Sequence, residues 1–148
     1  MKKIIVSSCL LGMECRYKGD SCRSEAVLAL KDRAVLIGVC PEQMGGLSTP
    51  RNPAERVGDR VISSAGDDVS AEYRKGAESA LLLAKLNGAT LAILKAKSPS
   101  CGKGLIYDGT FTGNKSPGNG VTVELLEQNG IRVFTEEDVE QGAIDAYL

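Results

Sequence analysis

The sequence predicts an α/β fold of the three-layer, Rossmann-like kind: a mainly parallel sheet with helices on both faces and small β-hairpin insertions. Three observations lead to it. Four short apolar runs rich in β-branched residues recur along the chain, helical patterns separate them, and the two strongest of those patterns stop at Gly88 and at Asn129-Gly130, as helix C-termini do. Strands that alternate with helices form a parallel sheet joined by right-handed crossovers.

The first strand runs from Lys3 to Ser8. Met1-Lys2-Lys3 ahead of Ile4-Ile5-Val6 begins like an export signal, but serines and a cysteine interrupt the apolar run, so the segment is expected to be a strand. Ser24 to Lys31 carries a helical pattern, and Ala34 to Val39 is a nearly continuous apolar run of the kind buried on both faces of a parallel sheet. Glu55 to Ile62 sets Gly58-Asp59 between two β-like pieces and predicts a hairpin. The strongest helix, Ser70 to Asn87, leads to a third strand at Thr90 to Leu94. Gly104 to Phe111, turning at Asp108-Gly109, predicts a second hairpin. Gly113 to Gly120 is expected to be a connecting loop, whose place before a helix would also suit an anion. A helix at Val121 to Gln128 then feeds a fourth strand, Ile131 to Phe134. No repeat, low-complexity tract or linker divides residues 1–148, which are expected to form one domain.

Composition narrows the function. Hydrophobic residues at 43% and charged residues at 25% suit a soluble globular chain, and no apolar run is long enough for a membrane span. Eighteen Lys and Arg against 19 Asp and Glu leave a net charge of −1, with four Tyr, two Phe and no Trp, which argues against a nucleic-acid surface. The expected partner is a small molecule, with no nucleic acid and no membrane, and no oligomeric state is legible. Five cysteines, an odd number, point to thiol or metal chemistry in a reducing, cytoplasmic setting rather than a disulfide frame. The chain has no histidine, which removes Ser-His-Asp and Cys-His nucleophiles, histidine zinc sites and facial-triad iron.

Cys9 and Cys40 end the first and second strands, and Cys101 lies shortly beyond the third. Ligands of open parallel sheets bind at the carboxyl ends of strands, so these three thiols can converge on one crevice. Any single cysteine could be plain packing; three at the same relative place suggest a site. Three thiolates suit a catalytic zinc with an open fourth position, or a cubane iron–sulfur cluster with one iron free of protein ligands. Cys15 and Cys22 fall in a polar loop and rank behind these three. Glu42, two residues past Cys40, is the leading general acid/base in a chain without histidine. Ser98 and Ser100, just ahead of Cys101, could hydrogen-bond a cluster sulfide or a substrate, and Arg51, Lys95, Lys97 and Lys103 bring positive charge to loops expected at the same rim. Other readings of the residues are a carrier of metal, cluster or sulfide without turnover and a structural zinc domain; a thiol oxidoreductase lacks its CxxC pair.

Taken together, Cys9-Leu10-Leu11-Gly12 with Cys15-Arg16-Tyr17 and Gly19, Cys40-Pro41-Glu42 with Gly45-Gly46-Leu47 and Thr49-Pro50-Arg51, and Ser98-Pro99-Ser100-Cys101-Gly102 give a chain that resembles the bacterial family catalogued as DUF523, which includes the thiouracil desulfidases. The resemblance covers nearly the whole chain, including Ile106-Tyr107-Asp108-Gly109. It implies an enzyme that removes sulfur from a thiolated nucleobase such as 2-thiouracil by non-redox attack of water, releasing hydrogen sulfide. It further implies a [4Fe–4S] cluster held by Cys9, Cys40 and Cys101, whose open iron takes the substrate sulfur. Glu42 would handle the protons of the attacking water, with Ser98 or Ser100 placing the substrate. A cluster so exposed would be stripped by aerobic handling.

Overall fold

The computed structural model describes residues 1–148. Four parallel strands make the central sheet: β1 (Lys3–Ser7), β2 (Val35–Val39), β5 (Leu91–Leu94) and β8 (Arg132–Thr135), in the order β2-β1-β5-β8. Ile5 pairs with Ile37 of β2 on one side and with Ala92 of β5 on the other, and Ala92 pairs with Val133 of β8. The mainly parallel, two-face-covered sheet anticipated from the sequence is therefore present.

Alternation along the strands builds two cores. Ile4, Val6, Leu91 and Ile93 pack on one face with Val27 and Leu30, contributed by α1 (Glu25–Ala29) and the short 3-10 turn after it. Ile5, Ala92, Leu94 and Val133 pack on the other with Ala80 and Ala84 of α3 (Ser70–Asn87) and with Val123 and Leu126 of α4 (Val121–Gln128). Residues at odd and even positions of the central strands thus serve opposite faces, and both faces are apolar because both are covered; the edge strand β2 departs from the burial expected of it, since Val35 is exposed and Leu36 and Ile37 are only half-buried. The α3 and α4 boundaries coincide with the ranges expected from periodicity, α3 closing on a left-handed Gly88.

Two small antiparallel sheets decorate this frame. β3 (Ala54–Val57) and β4 (Arg60–Ser63) form the first hairpin around Gly58-Asp59, as expected. The second differs from expectation. β6 (Leu105–Tyr107) pairs with β7 (Lys115–Pro117), so residues 108–114 are the connection and β7 lies inside the stretch expected to be a loop. Lys115-Ser116-Pro117 contains no β-branched or aromatic residue, so no strand pattern marks it.

The anion expectation for Gly113 to Gly120 is also corrected. At the α4 N-terminus the Val121 and Thr122 amides already donate to the carbonyls of Pro99 and Ser100 at 2.9 Å each, and a Cβ on Gly120 would lie 2.3 Å from the Ser100 oxygen. The first two amides of the helix, which an anion would need, are spent on docking the segment that carries Cys101. A helix that periodicity did not suggest, α5 (Glu136–Glu140), follows β8 directly; its signal was the capping box in which Thr135 and Asp138 satisfy each other's backbone amides.

The short helix α2 (Pro41–Met44) is pressed against α3 at two glycines. A Cβ on Gly76 would stand 1.8 Å from the Pro41 oxygen, and one on Gly45 would stand 1.9 Å from the Glu72 oxygen. Gly76→Ala should therefore lever α2 off α3 and destabilise the chain by about 1–3 kcal/mol, the usual cost of overpacking a closed contact. Thermal denaturation of Gly76→Ala beside wild type would measure it as a lowered Tm.

Candidate active site

In the strand order β2-β1-β5-β8 the chain leaves β1 toward one edge and later crosses to its other side at β5. The crevice at the carboxyl ends of β1 and β5 is a topological switch point, where open α/β sheets take their ligands. A cavity of about 360 Å³ lies there, and Cys9, Cys15, Cys40 and Cys101 all line it.

Each thiol is placed by a local device. After β1 the chain turns through a 3-10 segment, Ser8–Leu11, that ends at Gly12 with φ of 103°, and this turn holds Cys9 nearly buried. Cys40 is the N-cap of α2, with Pro41 at the first helical position, where its missing amide costs nothing. Cys101 is held by Ser98, whose Oγ accepts the amides of Ser100 at 3.1 Å and of Cys101 at 3.0 Å. All five cysteines are free thiols.

Cys15, ranked behind the other three on sequence, is buried in the cavity wall beside Cys9 and Cys40. Its polar loop is drawn in by Arg51, whose Nη2 donates to the Cys15 carbonyl at 2.9 Å. The signal was thin, because an interior position created by an arginine 36 residues away leaves no local periodicity. Cys22 is half-buried against the core and lies off the cavity wall.

Burial and thiol–thiol contact favour the protonated thiol at Cys15, Cys40 and Cys101. Hydrogen bonding to Cys15, with burial, carries Cys40 well above the ordinary thiol range. The hydrogen bond with Cys40 pulls Cys15 down, but the one with Cys9, burial and the Cys9 charge outweigh it and set Cys15 at about 11. Burial, aided by the Glu42 charge, pushes Cys101 up to about 12 against hydrogen bonds from Ser7 and Ser100. A bound metal would take these sulfurs as thiolates and release the protons.

Glu42 lines the cavity in the first turn of α2. Its Oε1 accepts Arg51 Nε at 3.1 Å and the Tyr73 hydroxyl at 2.8 Å, whereas no protein group donates to Oε2. Arg51 is almost wholly buried and also bonds the Ser48 carbonyl and Thr49 Oγ1, so it braces Glu42 as well as adding positive charge. Tyr73 was not legible in the sequence, since it occupies an ordinary core position of α3. Burial first, and then the Glu42 charge, hold its hydroxyl far above the usual phenol range, so it acts as a neutral donor.

The remaining expected site residues divide. Ser98 faces the cavity. Ser100 does not: it is fully buried, bonded to Thr122 Oγ1 at 2.8 Å and set against the Cys101 thiol, so it supports that cysteine from behind. Lys95 and Lys97 line the wall. Burial works against the Lys95 charge, but Glu136 Oε2 at 2.8 Å outweighs it and Lys95 ends above the usual lysine range. Lys103 is a correction to the expected rim, because its ammonium bonds the Val133 carbonyl at 2.8 Å and pairs with Glu127 at 3.0 Å, away from the cavity.

Fold and site together define a parallel-sheet α/β protein whose switch-point crevice is lined by soft sulfur donors and a braced carboxylate. The chain belongs to the 2-thiouracil desulfurase family, whose model matches residues 4–138. It is 45% identical to an uncharacterized protein of Bacillus subtilis (strain 168), YbbK, over 92% of this chain and 97% of that one. It also superposes with a TM-score of 0.89 on a solved [4Fe-4S]-dependent thiouracil desulfidase, TudS (DUF523), at 46% identity over 99% of each chain.

Proposed function

We propose that this chain is an iron–sulfur-dependent desulfidase that replaces the sulfur of a thiolated nucleobase, 2-thiouracil or a close analogue, with oxygen from water and releases hydrogen sulfide. The observation that carries the reading is the meeting, in one switch-point cavity, of four soft thiols with a carboxylate that has one oxygen anchored and one free. Family membership and the likeness to TudS support the same reaction.

The donor set fits a [4Fe–4S] cluster. Sulfur ligands select soft metals. A cubane bears its ligands on separate irons, and cysteines set around one cavity wall suit it. Cys9, Cys40 and Cys101, one from beyond each of three neighbouring strands, would be the ligands, leaving one iron open, and Arg51, Lys95 and Lys97 would offset the negative charge of thiolates and cluster. When bound, the cluster supplies a soft Lewis acid for the substrate sulfur.

The protein's own groups do the rest. Glu42 Oε2 takes a proton from the attacking water, while Arg51 and Tyr73 hold Oε1 and so fix the direction in which Oε2 acts. Ser98 keeps its hydroxyl proton free for the substrate, since its Oγ only accepts from the loop amides. The sum is thiocarbonyl plus water giving carbonyl plus hydrogen sulfide, with no oxidant or reductant. No helix is long and apolar enough to cross a membrane, and five free thiols suit the reducing cytoplasm in which we place the reaction.

Protein purified and reconstituted without oxygen should convert 2-thiouracil to uracil with one sulfide released per uracil. An iron-replete chain that releases neither would overturn the reading in favour of a carrier.

A further inference from the structure

We propose that Phe111 is the residue that recognises the flat heterocycle, and that Glu55 is the positioning residue that holds it at the cavity; this rests on the desulfidase reading. Only two non-glycine residues of the chain have positive φ, Lys97 at 71° and Phe111 at 57°, and both line the cavity. A bulky residue in the left-handed region is uncommon, and such residues persist where the surroundings hold them and function uses them. Phe111 is 41% exposed and belongs to neither core, so packing does not account for it.

The surroundings that hold it are specific. Glu55, nearly buried on β3, accepts the amides of Gly109 at 3.0 Å and of Phe111 at 3.2 Å on Oε1, its only hydrogen bonds. Gly109 lies so close on β3 that a Cβ there would meet Val57 Cγ2 at 2.8 Å. On its other side the hairpin is bridged from Ile106 to Lys97, and Gly102 leaves no room for a Cβ between Ser98 and Ile106. The loop after β6 is therefore clamped between β3 and the segment bearing Ser98 and Cys101. It presents Phe111 to the same cavity as Glu42.

Aromatic supply agrees. Of the chain's four Tyr and two Phe, Tyr17, Tyr73, Tyr107 and Phe111 line this cavity. Tyr73 is engaged with Glu42, and Tyr17 and Tyr107 each have a cation over the ring, leaving Phe111 as the aromatic face without a partner. An aromatic face stacks on a planar base without regard to its substituents.

The test compares anaerobically reconstituted full-length wild type with Phe111→Leu, which keeps apolar bulk but has no ring, Phe111→Tyr, which keeps the ring, Glu55→Ala, and Glu55→Gln, which keeps the acceptor oxygen. Phe111→Leu should raise KM for 2-thiouracil about tenfold, the scale of one lost base stack, with kcat within about threefold, the signature of lost uniform binding; Phe111→Tyr should match wild type. Glu55→Ala should raise KM likewise and speed hydrogen exchange at the Gly109 and Phe111 amides even in iron-free protein, and Glu55→Gln should restore both. An unchanged KM in Phe111→Leu, with wild type turning over, overturns the aromatic platform alone. Unchanged amide exchange in Glu55→Ala overturns the clamp. An inactive, iron-replete wild type overturns the desulfidase reading and this substrate assignment with it.

Discussion

Cys101→Ser is expected to give a folded chain that no longer holds its iron. Serine is nearly the same size as cysteine, and the devices that place residue 101 are independent of its sulfur: Ser98 accepts its amide, and α4 docks on the carbonyls of Pro99 and Ser100. The fold should persist, since only a soft ligand is exchanged for a hard, weakly binding hydroxyl. Iron analysis after anaerobic reconstitution should fall from the about four per chain that a cubane carries to a small fraction, with the far-ultraviolet dichroism unchanged. Cys9→Ser and Cys40→Ser should do the same, whereas Cys22→Ser, whose sulfur is off the cavity wall, should bind iron as wild type does. An iron-replete, active Cys101→Ser would sink the ligand assignment. Cys15→Ser is informative in its own right, because Cys15 lies among the other thiols and its iron content shows whether it shares the cluster.

The second large effect is expected at Glu42. Glu42→Ala removes the free Oε2 without touching a thiol, so iron should stay while kcat falls roughly 10²- to 10⁴-fold, the usual contribution of general acid–base catalysis. That corresponds to about 3–5 kcal/mol of transition-state stabilisation. Tyr73→Phe keeps the carboxylate but deletes one of its two anchors, a hydrogen bond to a charged group worth about 1.5–3 kcal/mol, and should cost roughly ten- to a hundredfold in kcat. Single-turnover rates with matched iron content measure both. If Glu42→Ala kept full kcat, the proton would have to be handled elsewhere and the braced carboxylate would be structural.

What the sequence determined by itself is the frame and the reactive types. Near-continuous apolar runs located all four strands of the main sheet to within a residue or so, because burial inside a parallel sheet demands such composition, although the edge strand β2 is less covered than its composition suggests. Ser70–Asn87 and Val121–Gln128 were legible from helical period and glycine stops. With the parallel order implied, Cys9, Cys40 and Cys101 could converge at the carboxyl ends of the strands, where all three line one cavity, and the absence of histidine made Glu42 the proton-handling candidate.

Tertiary structure decided which side chains meet. Arg51, Tyr73 and Glu42 come from three separate segments, and nothing local to an α3 core tyrosine says that its hydroxyl ends 2.8 Å from a carboxylate. Ser98 and Ser100 look alike in sequence, yet one faces the cavity and the other is sealed behind Cys101 by α4. Cys15 is in the site because Arg51 draws its loop inward, and Lys103 is out of it because Glu127 and the Val133 carbonyl lie closer to its ammonium. Strand and helix formation follow from periodicity over neighbouring residues, whereas hydrogen bonds across 31 or 36 positions depend on where the whole chain puts each segment. Local pattern therefore fixes the scaffold and the kinds of group it can present, and the packing of loops on that scaffold selects the ones that act.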